Sequence, residues 1–154
     1  MKTVHSKELT ELVGYQAQPT PWFEVTQQQI NQFAETTLDH QFIHVDPIKA
    51  AATPFGGTIA HGMLTLSMMA HFAESFAVRV ADTVMGLNYG FDKVRFLTPV
   101  KVGARIRAHG TLSDVSEKAP GQYLLTYSVK VEIEGQENPA LAANWLALLV
   151  TSSH

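Results

Sequence analysis

The chain contains no cysteine. Disulfides and thiolate metal sites are therefore excluded, and a reducing compartment is compatible with the composition. Basic clusters are missing as well: 11 Lys and Arg stand against 14 Asp and Glu, for a formal net charge of −3. A nucleic-acid binder normally shows a basic face, and none can be assembled here. There is no long apolar run. The longest, near residues 59–73, is interrupted by His61, Thr65, Ser67 and His71, and is too short and too polar to span a bilayer. The opening "MKTVHSKELTELVGY" lacks the apolar stretch of a signal peptide. Phosphate loops of the GxGxxG and GxxxxGKS/T kinds are absent, and so are repeats and low-complexity linkers. These absences leave one soluble domain over residues 1–154, expected in the cytoplasm, with neither nucleic acid nor membrane as partner.

What is present is a change of pattern halfway along. Lys7 to Val13 reads as a short helix, and Trp22–Val25 as a strand. Thr26 and Gln29 stand in capping-box spacing ahead of Ile30, Phe33 and Ala34, which predicts a helix from about Gln27 to Thr36. "LDHQFIHVDP" (Leu38–Pro47) follows as a loop. Asp46-Pro47 then opens a short helix through Ala52. "IAHGMLTLSMMAHFAESFAV" is apolar nearly all round, as a buried helix is. Beyond it the period becomes two. Val84–Val100 gives two strand-like halves around Gly90, and Ala104–Val115 a further strand. Tyr123, Leu125, Tyr127, Val129, Val131 and Ile133 share one face of the next. "PALAANWLALLVTS" is apolar on both faces and belongs inside the sheet. One buried helix against consecutive antiparallel strands predicts an α+β layer. Pairing of two copies would cover a free sheet edge.

Several residues can carry chemistry. Asp39 and His44 sit among Phe42, Ile43 and Val45. A carboxylate and an imidazole that converge can share proton transfer, with pKa values moved by partial burial. By spacing alone the plainer reading is favoured, in which Asp39 caps a turn and His44 is a satisfied histidine. Gly62 stands near the start of the buried helix, where unpartnered N–H groups can hold a developing oxyanion; alone it reads as a turn residue. His40, His44 and His61 offer three imidazoles, but loop spacing says little about a ligand set, and no metal is expected. Asn88 and Tyr89 precede Gly90 and could point into a pocket. Lys93 and Arg95 alternate with Val94 and Phe96, and read as a solvated face.

Taken together, "TTLDHQFIHVDPIKAAATPFGGTIAHGML" and "NYGFDKVRFLTPVKVG" resemble the MaoC-like dehydratases, the (R)-specific enoyl-CoA hydratases. The nearest branch is the nodulation-protein-N-like one, and the likeness covers roughly Thr26 to Arg107. Leu38, Gln41 and Phe42 stand where the hydratase motif has Gly, Asn and Pro. The resemblance implies a hot-dog fold, an antiparallel sheet wrapped around a long central helix. It implies a homodimer and an acyl thioester substrate on coenzyme A or an acyl-carrier phosphopantetheine, with no separate cofactor. Asp39 and His44 fall on the family's catalytic pair, and Gly62 on the backbone N–H that meets the thioester carbonyl. Gln41, Phe42, His61, Asn88 and Tyr89 are the expected substrate contacts. The activity implied is reversible hydration of trans-2-enoyl thioesters to (R)-3-hydroxyacyl thioesters. Two rivals share the fold: a thioesterase using Glu74, and a non-catalytic acyl-thioester-binding module.

Overall fold

A computed structural model describes residues 2–152. The elements run β1 (Thr3–Val4), a 3-10 helix (Ser6–Leu12), β2 (Phe23–Glu24), α1 (Gln27–Thr37), α2 (Phe42–Val45), α3 (Pro47–Ala51), α4 (Gly62–Ser67), α5 (Met69–Phe76), β3 (Arg79–Val80), β4 (Thr83–Phe96), β5 (Arg105–Ala119), β6 (Gln122–Ile133) and β7 (Leu141–Thr151). The main sheet has the order β2-β5-β6-β7-β4, antiparallel throughout, and β1 pairs with β3 in a small parallel ribbon. Among the described residues no helix is long and apolar enough to cross a membrane.

The sheet packs one face onto α4 and α5. Tyr127, Val129, Val131 and Ile133 of β6 alternate inward with Ile106, Ala108 and Leu112 of β5 and with Leu141, Ala143 and Trp145 of β7. Phe72 and Phe76 of α5 are each 1% exposed; burial of such a side chain contributes about 1.5–3 kcal/mol. The rings of Phe76 and Tyr127 meet edge to face at 5.7 Å. The Val78 N–H just after α5 donates to the Tyr127 hydroxyl at 3.1 Å. Burial pushes the Tyr127 phenol up to about 12. A sheet closed around these helices is the hot-dog arrangement.

Several local expectations hold for local reasons. The Thr26 hydroxyl accepts from the Gln29 N–H at 3.2 Å, starting α1 at Gln27. Asp46 accepts from the Lys49 N–H at 3.0 Å with Pro47 in the first turn of α3.

Four expectations need correction. Residues 38–47 are not a plain loop, because Phe42–Val45 closes one helical turn and the Asp46 N–H donates to the Phe42 carbonyl. The central helix is not one long rod. It is α4 and α5 joined at Met68, and Met63 is 56% exposed, so it is not buried all round. Val84–Val100 is mostly one strand, with a register shift between Asn88 and Gly90. Finally, β4 does not pair with β5, its successor; it crosses to the far side of β7 and forms an edge.

Candidate active site

Three chain segments meet at the site. The αL residue Leu38 ends α1 and turns the chain so that Asp39 follows at the surface. One turn later α2 carries His44 inward, 7% exposed. The strap before α4 brings His61, 3% exposed. A carboxylate oxygen of Asp39 and one ring nitrogen each of His44 and His61 lie within 4.8 Å of one another.

His44 is held from two directions. Its Nδ1 lies 2.7 Å from the Ile59 carbonyl oxygen, which can only accept, so Nδ1 carries the proton and Nε2 keeps its lone pair. Its backbone carbonyl accepts from Gln27 Nε2 at 2.7 Å. Gln27 is fixed in turn by the Thr58 hydroxyl, which donates to its Oε1, and by Asn31. Burial pushes the His44 pKa below 6.5. The Ile59 carbonyl opposes that shift, His61 adds to it, and Asp39 opposes it.

The rings of His44 and His61 stack, with centroids 3.8 Å apart and planes 22° from parallel. An ion between two nearly parallel imidazoles would lie well out of both ring planes, where nitrogen lone pairs do not point. That stacking disfavours an ion held between the two ring faces. His40, the other imidazole considered from sequence, instead sits 3.6 Å from Glu35 at the surface.

A cavity of about 300 Å³ opens beside this cluster. His44, Ile59, Ala60, Gly62 and Thr65 line one side, and Phe96, Leu97, Thr98, Pro99, Val100 and Ala140 the other. Gly62 is the first residue of α4, so its N–H has no partner within the helix. His44 and Gly62 are thus brought to one apolar cavity, with Asp39 beside them.

Other expected contacts fall elsewhere. Phe42, Ile43 and Val45 do not line the cavity; Phe42 is 41% exposed. Gln41 is exposed and precedes α2 without capping it through its side chain. Asn88 accepts from Trp145 Nε1 at 2.9 Å, and Tyr89 is 64% exposed on β4. Both lie seven or eight residues along the strand from Phe96, roughly 20 Å or more at the rise of an extended chain. Glu74 is exposed on α5 and faces a different groove. Sequence reasoning missed the wall from Phe96 to Val100 and buried Thr65. The clue was available: "RFLTPV" lies inside the second motif, and Thr65 is one helical turn beyond Gly62.

The "MaoC like domain" family model matches residues 9–133. Nodulation protein N of Rhizobium meliloti is 44% identical over 149 residues, covering 96% of this chain and 92% of that protein. 3-Hydroxyacyl-thioester dehydratase Z of Mycobacterium tuberculosis is 42% identical over 144 residues, covering 93% and 95%. A solved structure described as a monoamine oxidase regulatory protein from Archaeoglobus fulgius superposes with a TM-score of 0.78 at 25% identity, over 99% of this chain and 98% of that one. The two motifs that flank the cavity lie within the matched span, and the chain belongs to the MaoC-like dehydratase family.

Proposed function

We propose that the protein catalyses reversible hydration of trans-2-enoyl thioesters to (R)-3-hydroxyacyl thioesters. The observation that carries this reading is the meeting of His44 and Gly62 in one small apolar cavity, with the Asp39 carboxylate within 4.8 Å of a His44 ring nitrogen. The relative named as a 3-hydroxyacyl-thioester dehydratase supports it.

The acyl chain would enter between Ile59 and the Leu97–Val100 wall. Water held by the Asp39 carboxylate and the free Nε2 of His44 attacks C3 as the C2–C3 π bond breaks. The pair accepts a proton from that water, and the negative charge passes to the thioester oxygen. The Gly62 N–H donates to that oxygen. A proton returned from the pair to C2 completes the addition. Asp39 and His44 bring a carboxylate oxygen and a ring nitrogen within 4.8 Å of each other. The reaction is redox-neutral and needs no cofactor beyond the carrier thiol, coenzyme A or a phosphopantetheine arm.

The functional unit is a homodimer. β4 is a 14-residue edge strand carrying Val84, Met85, Leu87 and Tyr89 at 45–67% exposure. Apolar edges of this length are normally covered. A second copy on this edge would also give Asn88 and Tyr89 surroundings that a single chain lacks.

The test is loss of the enoyl-thioester absorbance with crotonyl-CoA and a longer enoyl-CoA, wild type beside Asp39→Asn, with chiral analysis of the alcohol. An (R)-alcohol formed by wild type and not by the variant is expected. Release of free thiol would support the thioesterase rival, and tight binding without product the binding module. Exposure of Glu74 away from the cavity weighs against the thioesterase.

A further inference from the structure

We infer that His61 is a positioning residue that locks Asp39 and His44 into one geometry, and that it makes no contact with substrate. The inference rests on the hydratase reading for its kinetic consequence, but not for its structural one.

His61 occupies the N-cap position of α4, yet its side chain makes no capping bond. The ordinary local reason for a polar residue there is therefore absent. Its ring instead reaches across 22 residues of sequence. Nε2 lies 3.0 Å from the backbone carbonyl oxygen of Asp39. That oxygen only accepts, so Nε2 bears a hydrogen, which in a neutral ring leaves Nδ1 bare. Nδ1 is fully buried and has no hydrogen-bond partner among the described residues. Leaving a buried acceptor unpaired is costly. The ring is kept where it is by its other contacts: the Asp39 carbonyl at its edge, His44 stacked at 3.8 Å, and Phe33 at 5.0 Å.

The two stacked imidazoles thus carry opposite tautomers. His44 is protonated on Nδ1, through Ile59, and His61 on Nε2, through Asp39. One side chain from the α4 strap touches both members of the proposed catalytic pair, one through its backbone and one through its ring face. Asp39 needs such a tie. It is exposed, and among the described residues its carboxylate is held by one long 3.4 Å bond from the Gln41 N–H. His61 itself is 3% exposed, and the cavity is lined by its neighbours Ala60 and Gly62 rather than by it. Substrate therefore meets Gly62 and His44 while His61 stands behind them.

The experiment compares His61→Phe, which keeps a ring but loses the donor, with His61→Gln, which keeps a donor but loses the stack. Steady-state kinetics on an enoyl-CoA are read beside ¹⁵N spectra of the His44 ring in each folded protein. Displacing a reacting group by about 1 Å can cost about 100-fold in rate. Falls in kcat of this order for His61→Phe, a smaller fall for His61→Gln, and unchanged KM in both are expected. The wild-type spectra should show opposite tautomers for the two rings, with the His44 signals displaced in both variants. A rise in KM at constant kcat would overturn the inference in favour of a substrate contact. Should wild type turn over no thioester, the hydratase reading fails by itself. The spectra still decide the positioning role, which is overturned if the His44 signals in folded His61→Phe match those of wild type.

Discussion

The Phe96 ring occupies the space where a side chain on Gly62 would begin. A Cβ built on Gly62 would stand 2.9 Å from Cγ of Phe96 and 3.0 Å from its Cδ1. Gly62 thus serves packing as well as the exposure of its N–H. Gly62→Ala should lower kcat, because Phe96 must swing aside and reshape the cavity that both residues line. Phe96 is 51% exposed and can yield, so stability should change little. Adding Phe96→Leu to Gly62→Ala should recover part of the lost rate. Non-additivity in that double-mutant cycle is the quantity to measure.

Asp39→Asn and His44→Asn should each reduce kcat by about 10²–10⁴-fold, the usual scale of general acid–base contributions. The double variant should be little worse than either single one if the pair works as a unit. Unchanged thermal unfolding would separate this effect from misfolding.

The lowered pKa of His44 sets a pH dependence. A neutral His44 is needed to accept a proton, so the acid limb of kcat/KM should fall below pH 6.5. The same shift affects stability. The folded state holds the imidazole less protonated than the unfolded chain does. This contribution is complete above the unfolded pKa near 6.5 and is lost as pH falls through the lower folded value. Urea midpoints across pH 5–8 for wild type and His44→Asn should diverge on the alkaline side and converge on the acid side.

Leu38 adopts φ 62° and ψ 22° at the end of α1 and is 78% exposed. A left-handed backbone costs an L-residue about 1–2 kcal/mol, and glycine returns roughly half of that as unfolded-state entropy. Leu38→Gly should therefore stabilise by about 0.5–1 kcal/mol, seen as a higher urea midpoint. A lower midpoint would mean that Leu38 has a packing role.

Gly110 on β5 admits α5. A Cβ there would lie 2.3 Å from Cδ2 of Phe76, a ring only 1% exposed and without room to retreat. Gly110→Ala should destabilise by about 1–3 kcal/mol, in the range of core overpacking. Calorimetric unfolding checks this without reference to activity.

Leu87→Glu should convert the proposed dimer to monomer by placing charge on the free edge of β4. Sedimentation analysis of wild type beside the variant decides it, and a wild type that is already monomeric removes the proposal.

The sequence by itself determined whatever depends on near neighbours. Thr26, Asp46 and Pro47 start their helices through contacts three residues away, and the alternation of β6 chooses its buried face. The two motifs announced the family, and the local turns they encode bring Asp39 within 4.8 Å of His44, and His44 and Gly62 to one cavity. Tertiary structure alone decided what depends on distant partners. No local pattern shows that β4 skips β5 to pair with β7, since strand order follows from which faces bury together. Likewise, the cavity wall comes from Phe96–Val100 and Ala140, not from the hydrophobes beside His44, because α2 turns only His44 inward. The stack of His44 on His61 joins residues 17 apart in sequence. It exists because the Ile59 N–H donates to the Ile43 carbonyl at 3.0 Å while the Ile59 carbonyl receives His44, drawing the α4 strap against α2.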